Sequence, residues 1–242
     1  MRRLFSQSMA RRDPTQNKYY DRFDLLLAVS VVTVALLLLV DLDQGEGFAE
    51  LLAVTVTILT AAMLMLAVGA AGVGRRGRRF AWVTVAITVS ASVAGALFPF
   101  GEFAHGGLLW LILVVSAPVV ALRRLMHHKV ITAETLLGAV SVYLMMAIAG
   151  TYLFLFIDTF GGSAGQFFGS PQPTTVFMYF SLVTATTVGY GDFAPVQVAG
   201  RAAAGWVAVL GQIYLVVVVA YVVALYTSAR TRVLDSAPSD DD

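Results

Sequence analysis

The sequence predicts an all-α membrane protein of six transmembrane helices, with a re-entrant half-helix between the fifth and the sixth. Three observations lead there. The 242-residue chain is 58% hydrophobic and only 13% charged, against about 25% charged in an ordinary soluble domain. Six apolar segments approach the ~20 residues that cross a bilayer. The basic residues crowd into alternate connections between those segments, a pattern that the buried core of a large soluble protein does not explain.

The spans read, in order, as residues 23–40, 48–73, 80–99, 107–122 (the shortest), 132–157 and 198–226. The first follows a basic head, as the apolar part of a signal sequence does. No small-residue cleavage site follows it, so it is read as a retained span. Arg2, Arg3, Arg11, Arg12, Lys18 and Arg22 lie in the head, and Arg75, Arg76, Arg78 and Arg79 follow the second span. Arg123, Arg124 and Lys129 follow the fourth, and Arg230 and Arg232 lie in the tail. Of the 16 Lys and Arg, only Arg201 lies elsewhere. The other connections carry acids alone: Asp41, Asp43 and Glu46, then Glu102, then Asp158. The positive-inside rule places both termini in the cytoplasm of a cell-membrane protein. The organisation expected is a basic head (1–22), a four-helix bundle (23–122), a cytoplasmic linker (123–131), a two-span unit (132–227) and a disordered tail (228–242) ending SAPSDDD.

Catalytic and metal chemistry find little support. The chain has no cysteine, its three histidines are His105, His127 and His128, and no His/Asp/Glu cluster has metal-ligand spacing. No nucleophile–base arrangement stands out. The reading is therefore of a protein that is not an enzyme, needs no cofactor and has no nucleic-acid partner.

About forty residues separate the fifth and sixth spans, and they are too apolar for an ordinary loop. DTFGGSAGQFFGSPQP is rich in Gly, Pro and Ser and reads as an outer loop. The apolar run from Thr174 to Thr187 is too short to cross the bilayer at 1.5 Å per residue. It fits a half-helix that begins at Pro173 or the threonines after it and stops near mid-membrane. Its C-terminal end carries partial negative charge, favourable beside a cation. TVGYG, residues 187–191, must then return as non-helical backbone, tolerated at that depth only when buried in protein or lining water. Gly189 and Gly191 permit positive φ, which lets successive carbonyls point the same way. A row of carbonyls from several chains replaces the hydration shell of a cation.

The full string TATTVGYGD resembles the signature of tetrameric potassium channels at every filter position. The resemblance covers about the last 110 residues, from Thr132 to Tyr226. It implies a homotetramer, since each chain supplies one copy of the filter, with K+ as the permeant ligand. By resemblance, the carbonyls of Thr187, Val188, Gly189 and Tyr190 and the hydroxyl of Thr187 coordinate K+. Thr184, Gly191 and Asp192 support them, and Tyr179 and Phe180 match the aromatic pair that braces the filter from behind. Asp192 lies at the outer mouth, where negative charge concentrates cations. Some members pair this aspartate with a buried glutamate. Val183 stands at that position here, so the pair cannot form.

The sixth span continues the resemblance. Gly200 and Arg201 match family residues, and a basic side chain near the outer end reaches water by snorkelling. Gly205 and Gly211 interrupt the apolar run. Close packing through small residues explains such glycines, but Gly211 lies where the family has its inner-helix hinge and is assigned that role. Gln212 is the one strongly polar side chain deep in this span, and it shares an α-helical face with Leu215 and Val219. These three are expected to line the water-filled cavity below the filter, the competing reading being an interhelical hydrogen bond by Gln212.

Six spans with a pore between the last two also resembles voltage-gated channels. A sensor needs several charges within the field. The fourth span, GLLWLILVVSAPVVAL, has none before Arg123, and Pro118 is expected to kink it. Strong voltage sensing is thus excluded, and the first four spans are read as a scaffold. The linker bases anchor to anionic lipid headgroups, with His127 and His128 a second, pH-responsive reading. Three other classes fit the pattern less well. A transporter subunit with channel-like loops usually holds four degraded loops in one chain. A silent, lipid-binding membrane protein would pass no current, and an intramembrane enzyme lacks its constellation.

Overall fold

The computed structural model describes residues 23–39, 108–127, 133–160 and 167–221, together with residues 55–56, 58–63, 65–66, 79, 82–83, 85–86, 90, 223–224 and 227. The basic head, most of the second and third spans, the linker after His127 and the tail expected to be disordered lie outside the described residues. Among the described residues regular structure is entirely helical, with no strand. The main elements are α1 (Phe23–Leu39), α2 (Leu108–His127), α3 (Ala133–Phe160), α4 (Thr174–Ala185) and α5 (Val198–Ile213), which passes directly into a π-helical stretch at Tyr214–Val219.

α3 is the centre of the fold. It packs against α1, α2, α4, α5 and the π-helical stretch. Ala139, Val142, Met145 and Ile148 are fully buried along it. Val142, Met145 and Ile148 meet Phe23, Leu26 and Leu37 of α1 and Val114, Ala117 and Ala121 of α2 in one core, and Ala139 packs with Leu125 of α2 in a smaller one. The ring of Phe23 lies where a side chain at Gly138 would go, at 2.6 Å from an ideal Cβ, so that glycine is required by close packing. Polar side chains inside this core are satisfied locally. Ser30, Thr33, Ser141 and Thr151 each donate to the carbonyl one turn back, at 2.7 to 3.0 Å.

Two boundaries differ from those read in the sequence. α2 runs to His127 rather than stopping at residue 122, and it continues through Pro118. Arginine is a good helix former, and its charge is favoured at a helix C-terminus, so Arg123 and Arg124 extend the helix instead of opening a linker. The last span is α-helical to Ile213, π-helical over Tyr214–Val219, and α-helical again from Ala220. Two described helices are long and apolar enough to cross a membrane, Thr135–Phe160 and Val198–Val219.

Candidate functional site

α4 is 12 residues long, about 18 Å. Pro173 precedes it with φ −68° and ψ 160°, and the Pro173 carbonyl accepts the Val176 amide at 3.1 Å. A proline costs nothing where no intrahelical amide is needed, so the start lies where the sequence places it. The end comes at Ala185, two residues earlier than the apolar run implies. Thr187 has φ +59°, which no α-helix accommodates.

From that point the handedness of the backbone alternates. Thr187, Gly189 and Gly191 have φ of +59°, +53° and +81°, while Val188 and Tyr190 between them are not positive. An ideal Cβ at Gly189 or Gly191 would meet nothing within 4 Å. Backbone conformation, not crowding within the chain, therefore requires these two glycines.

The alternation has a direct consequence. The amides of Val188 and Gly189 converge on one acceptor, the Val183 carbonyl, at 2.9 and 3.1 Å. The described peptides contain no cis bond. In a planar trans peptide the N–H and C=O point opposite ways. The carbonyls of Thr187 and Val188 thus both point away from α4, on the same side. Among the described residues, none of the carbonyls of Thr187, Val188, Gly189 and Tyr190 accepts a hydrogen bond. Val183 anchors this segment through its backbone. Thr184 does likewise, accepting the Thr187 amide at 3.0 Å.

The aromatic pair divides its work. The Tyr179 hydroxyl donates to Asp192 Oδ2 at 2.8 Å, and its ring stacks on Tyr190 at 6.4 Å between centroids and 2° between planes. α4 does not span and Tyr179 is half-buried on it; the hydrogen bond to Asp192 pushes its hydroxyl pKa up to about 12. Phe180 points the other way. It packs with Phe154, Phe167, Phe168 and Phe177, and Phe168 in turn meets Phe193 at 5.6 Å. Its support of the 187–191 segment is therefore indirect.

α4 is fixed to α3 from below. The buried Ser181 Oγ donates to the Ala147 carbonyl at 2.6 Å, and Thr151 Oγ1 lies 3.1 Å from Met178 Sδ. The hydroxyl of Tyr143, on α3, donates to the carbonyl of Ala185 at 2.9 Å. The return loop is tied as well. The Phe167 amide donates to Asp158 Oδ1 at 2.8 Å, the Val196 amide to the Phe167 carbonyl at 2.9 Å, and Arg201 Nε to the Pro195 carbonyl at 2.9 Å. Arg201 is thus engaged with the loop as well as exposed. Gly200 is required by contact, since an ideal Cβ would sit 2.7 Å from the ring of Phe167.

On α5, Gly211 is buried, and an ideal Cβ there would collide with the Ala185 carbonyl. Close approach alone accounts for this glycine. The departure from α geometry begins three residues later, at Tyr214. Gln212 and Leu215 are exposed, whereas Val219 is half-buried against the main core. The shared face of these three residues presupposes α periodicity. The π-helical stretch contains the second and the third and changes the register.

Asp158, Phe167, Tyr143, Ser181 and Tyr214 carry contacts that the sequence reading did not single out. Each meets a partner 9 to 75 residues away through a hydrogen bond. Only Asp158 left a local trace, as a lone acid at a span end.

Residues 131–228 match a family model described as ion channel. The matched stretch contains α3, α4, the 187–191 segment and α5. This supports placing that part of the chain among ion channels, in keeping with a membrane protein. No curated protein matches the chain.

Proposed function

We propose that the chain is one subunit of a homotetrameric, potassium-selective channel that conducts K+ passively. The observation that carries this reading is the capture of the Val188 and Gly189 amides by the single Val183 carbonyl. It turns the Thr187 and Val188 carbonyls to the same side, free of internal partners. Four such segments around an axis form stacked oxygen rings, from the carbonyls of Thr187, Val188, Gly189 and Tyr190 and the Thr187 hydroxyl. K+ exchanges its water shell for these rings and moves by knock-on between adjacent sites. The partial negative charge at the α4 C-terminus faces the ion below the rings.

Tyr179 and Asp192 hold the outer end, and Gln212 and Leu215, with Val219 at the register change, line the cavity on the cytoplasmic side. Gating is a movement of the inner helix, α5 with its π-helical continuation, hinged near Gly211. The first four spans form a scaffold, because α2 carries no charge before Arg123. Both termini face the cytoplasm. The purified protein in liposomes is expected to pass K+ and exclude Na+ in a flux assay. Equal fluxes of the two ions refute the reading.

A further inference from the structure

The π-helical stretch at Tyr214–Val219 is held in place by a chain of contacts that the conduction mechanism does not use. A π-helix is rarely stable by itself and persists where specific contacts favour it. Here the contact is its first residue. Tyr214 is 3% exposed, and its hydroxyl donates to the Ala139 carbonyl of α3 at 2.7 Å. The Tyr214 ring stacks on that of Tyr143 at 5.9 Å and 21°. Tyr143 in turn donates to the Ala185 carbonyl, at the last residue of α4. One turn before Tyr214, Gly211 presses its Cα face against the same carbonyl. Ala185 immediately precedes the turn from which Val188 and Gly189 reach back to Val183.

We infer that Tyr143 and Tyr214 act as positioning residues that couple the geometry of the inner helix to the base of the filter. The coupled element has two defined states. With the π-helical stretch in place, Tyr214 sits under Tyr143, and the Ala185 carbonyl is held from both α3 and α5. Relaxation of the stretch to α geometry takes up one residue's worth of winding, starting at Tyr214, and rotates the helix on its two sides relative to one another by on the order of 100°. Tyr214 cannot keep both its stack and its bond to Ala139 through such a change. The Tyr143 hydroxyl then loses its fixed position at Ala185. Coupling of this kind requires an element that both ends bias, and the tyrosine pair touches both. The inference rests on the channel reading for its meaning but not for its test.

The test is amide hydrogen exchange on the purified full chain, comparing Tyr143→Phe, Tyr214→Phe and the double variant. Each substitution keeps the ring and removes one hydroxyl. Size-exclusion chromatography and melting temperature confirm that the fold is retained. Tyr143→Phe removes a bond at Ala185, yet it is expected to speed exchange across residues 216–220 by about fivefold, the weight of one hydrogen bond. Tyr214→Phe removes a bond at Ala139, yet it is expected to speed exchange at the Val188 and Gly189 amides to a similar extent. The double variant is expected to match the larger single effect, since the two act as one unit. Ser181→Ala, which removes a neighbouring bond between α4 and α3, is expected to leave residues 216–220 unchanged. Loosening confined to each variant's own neighbourhood, or additive effects in the double variant, overturns the inference. Liposome flux of the unmodified protein decides the channel reading separately, so failure of either is distinguishable. Where K+ flux is found, Tyr214→Phe is expected to change open probability severalfold while leaving the K+ to Na+ permeability ratio unaltered.

Discussion

The apolar stretches within Thr135–Phe160 and Val198–Val219 have equal mean hydropathy, yet their surroundings differ. Within one chain, 56% of the apolar stretch of Thr135–Phe160 is buried, against 11% of that of Val198–Val219. α3 has found its partners: Val142, Ile148 and Phe154 show no exposed surface. α5 has not. Val198, Trp206, Leu210 and Ile213 are 82, 67, 50 and 52% exposed. Apolar area on this scale marks an interaction surface. Hydropathy reports that a helix avoids water, and it is silent on whether lipid, its own chain or another subunit covers it. The outer helix builds the subunit, and in the proposed tetramer the inner helix builds the assembly.

The contrast breaks most visibly at two buried contacts. Gly211→Leu drives a side chain into the Ala185 carbonyl, which is backbone and cannot yield. It is expected to abolish K+ flux in liposomes, and tetramers should be lost on size-exclusion chromatography. Ile148→Ala on α3 is expected to cost about 2–5 kcal/mol of stability. The loss should appear as the same drop in melting temperature at every protein concentration, because the contact lies inside one subunit. Trp206→Ala on α5 should behave oppositely. It leaves the subunit's own core intact and is expected to weaken the tetramer by about 2 kcal/mol, seen as a shift toward smaller species on dilution. A concentration-independent effect of Trp206→Ala would show that this helix faces lipid rather than a second subunit. Tyr179→Phe removes the bond to Asp192 and is expected to make sustained K+ current decay about fivefold faster, for a loss of ~1 kcal/mol, with the ion preference kept. Gly205→Ala is the smallest. Nothing lies within 4 Å of an ideal Cβ there, so the isolated subunit should gain up to about 1 kcal/mol from helix propensity. Loss of tetramer in this variant alone would mark Gly205 as a site of close contact between subunits.

What could be read from the sequence follows from how local each signal is. Pro173 marked the start of α4, because proline acts on its own backbone. The glycine alternation in TVGYG announced the reversed handedness at 189 and 191, though not that Thr187 joins it at φ +59°. Threonine carries no such signature, and the half-helix was read two residues too long for that reason. The π-helical stretch was illegible, since YLVVVV is as apolar and regular as any α-helical run. Its first residue is held by a hydroxyl contact between Tyr214 and Ala139, separated by 75 residues. The same holds for Tyr143 and Ser181. Each looked like ordinary filling in an apolar span, and each proves to fix one end of α4.

The short connection between α2 and α3 bears on how such a protein is made. Five residues separate His127 from Ala133, and α2 lies against α3 of its own chain. α1 docks on the same helix. Synthesis can therefore complete these contacts one polypeptide at a time, before any meeting of subunits. In the proposed tetramer the contacts of α1 and α2 on α3 lie within one subunit, so a full-length chain and one lacking its first four spans should be able to enter the same ring.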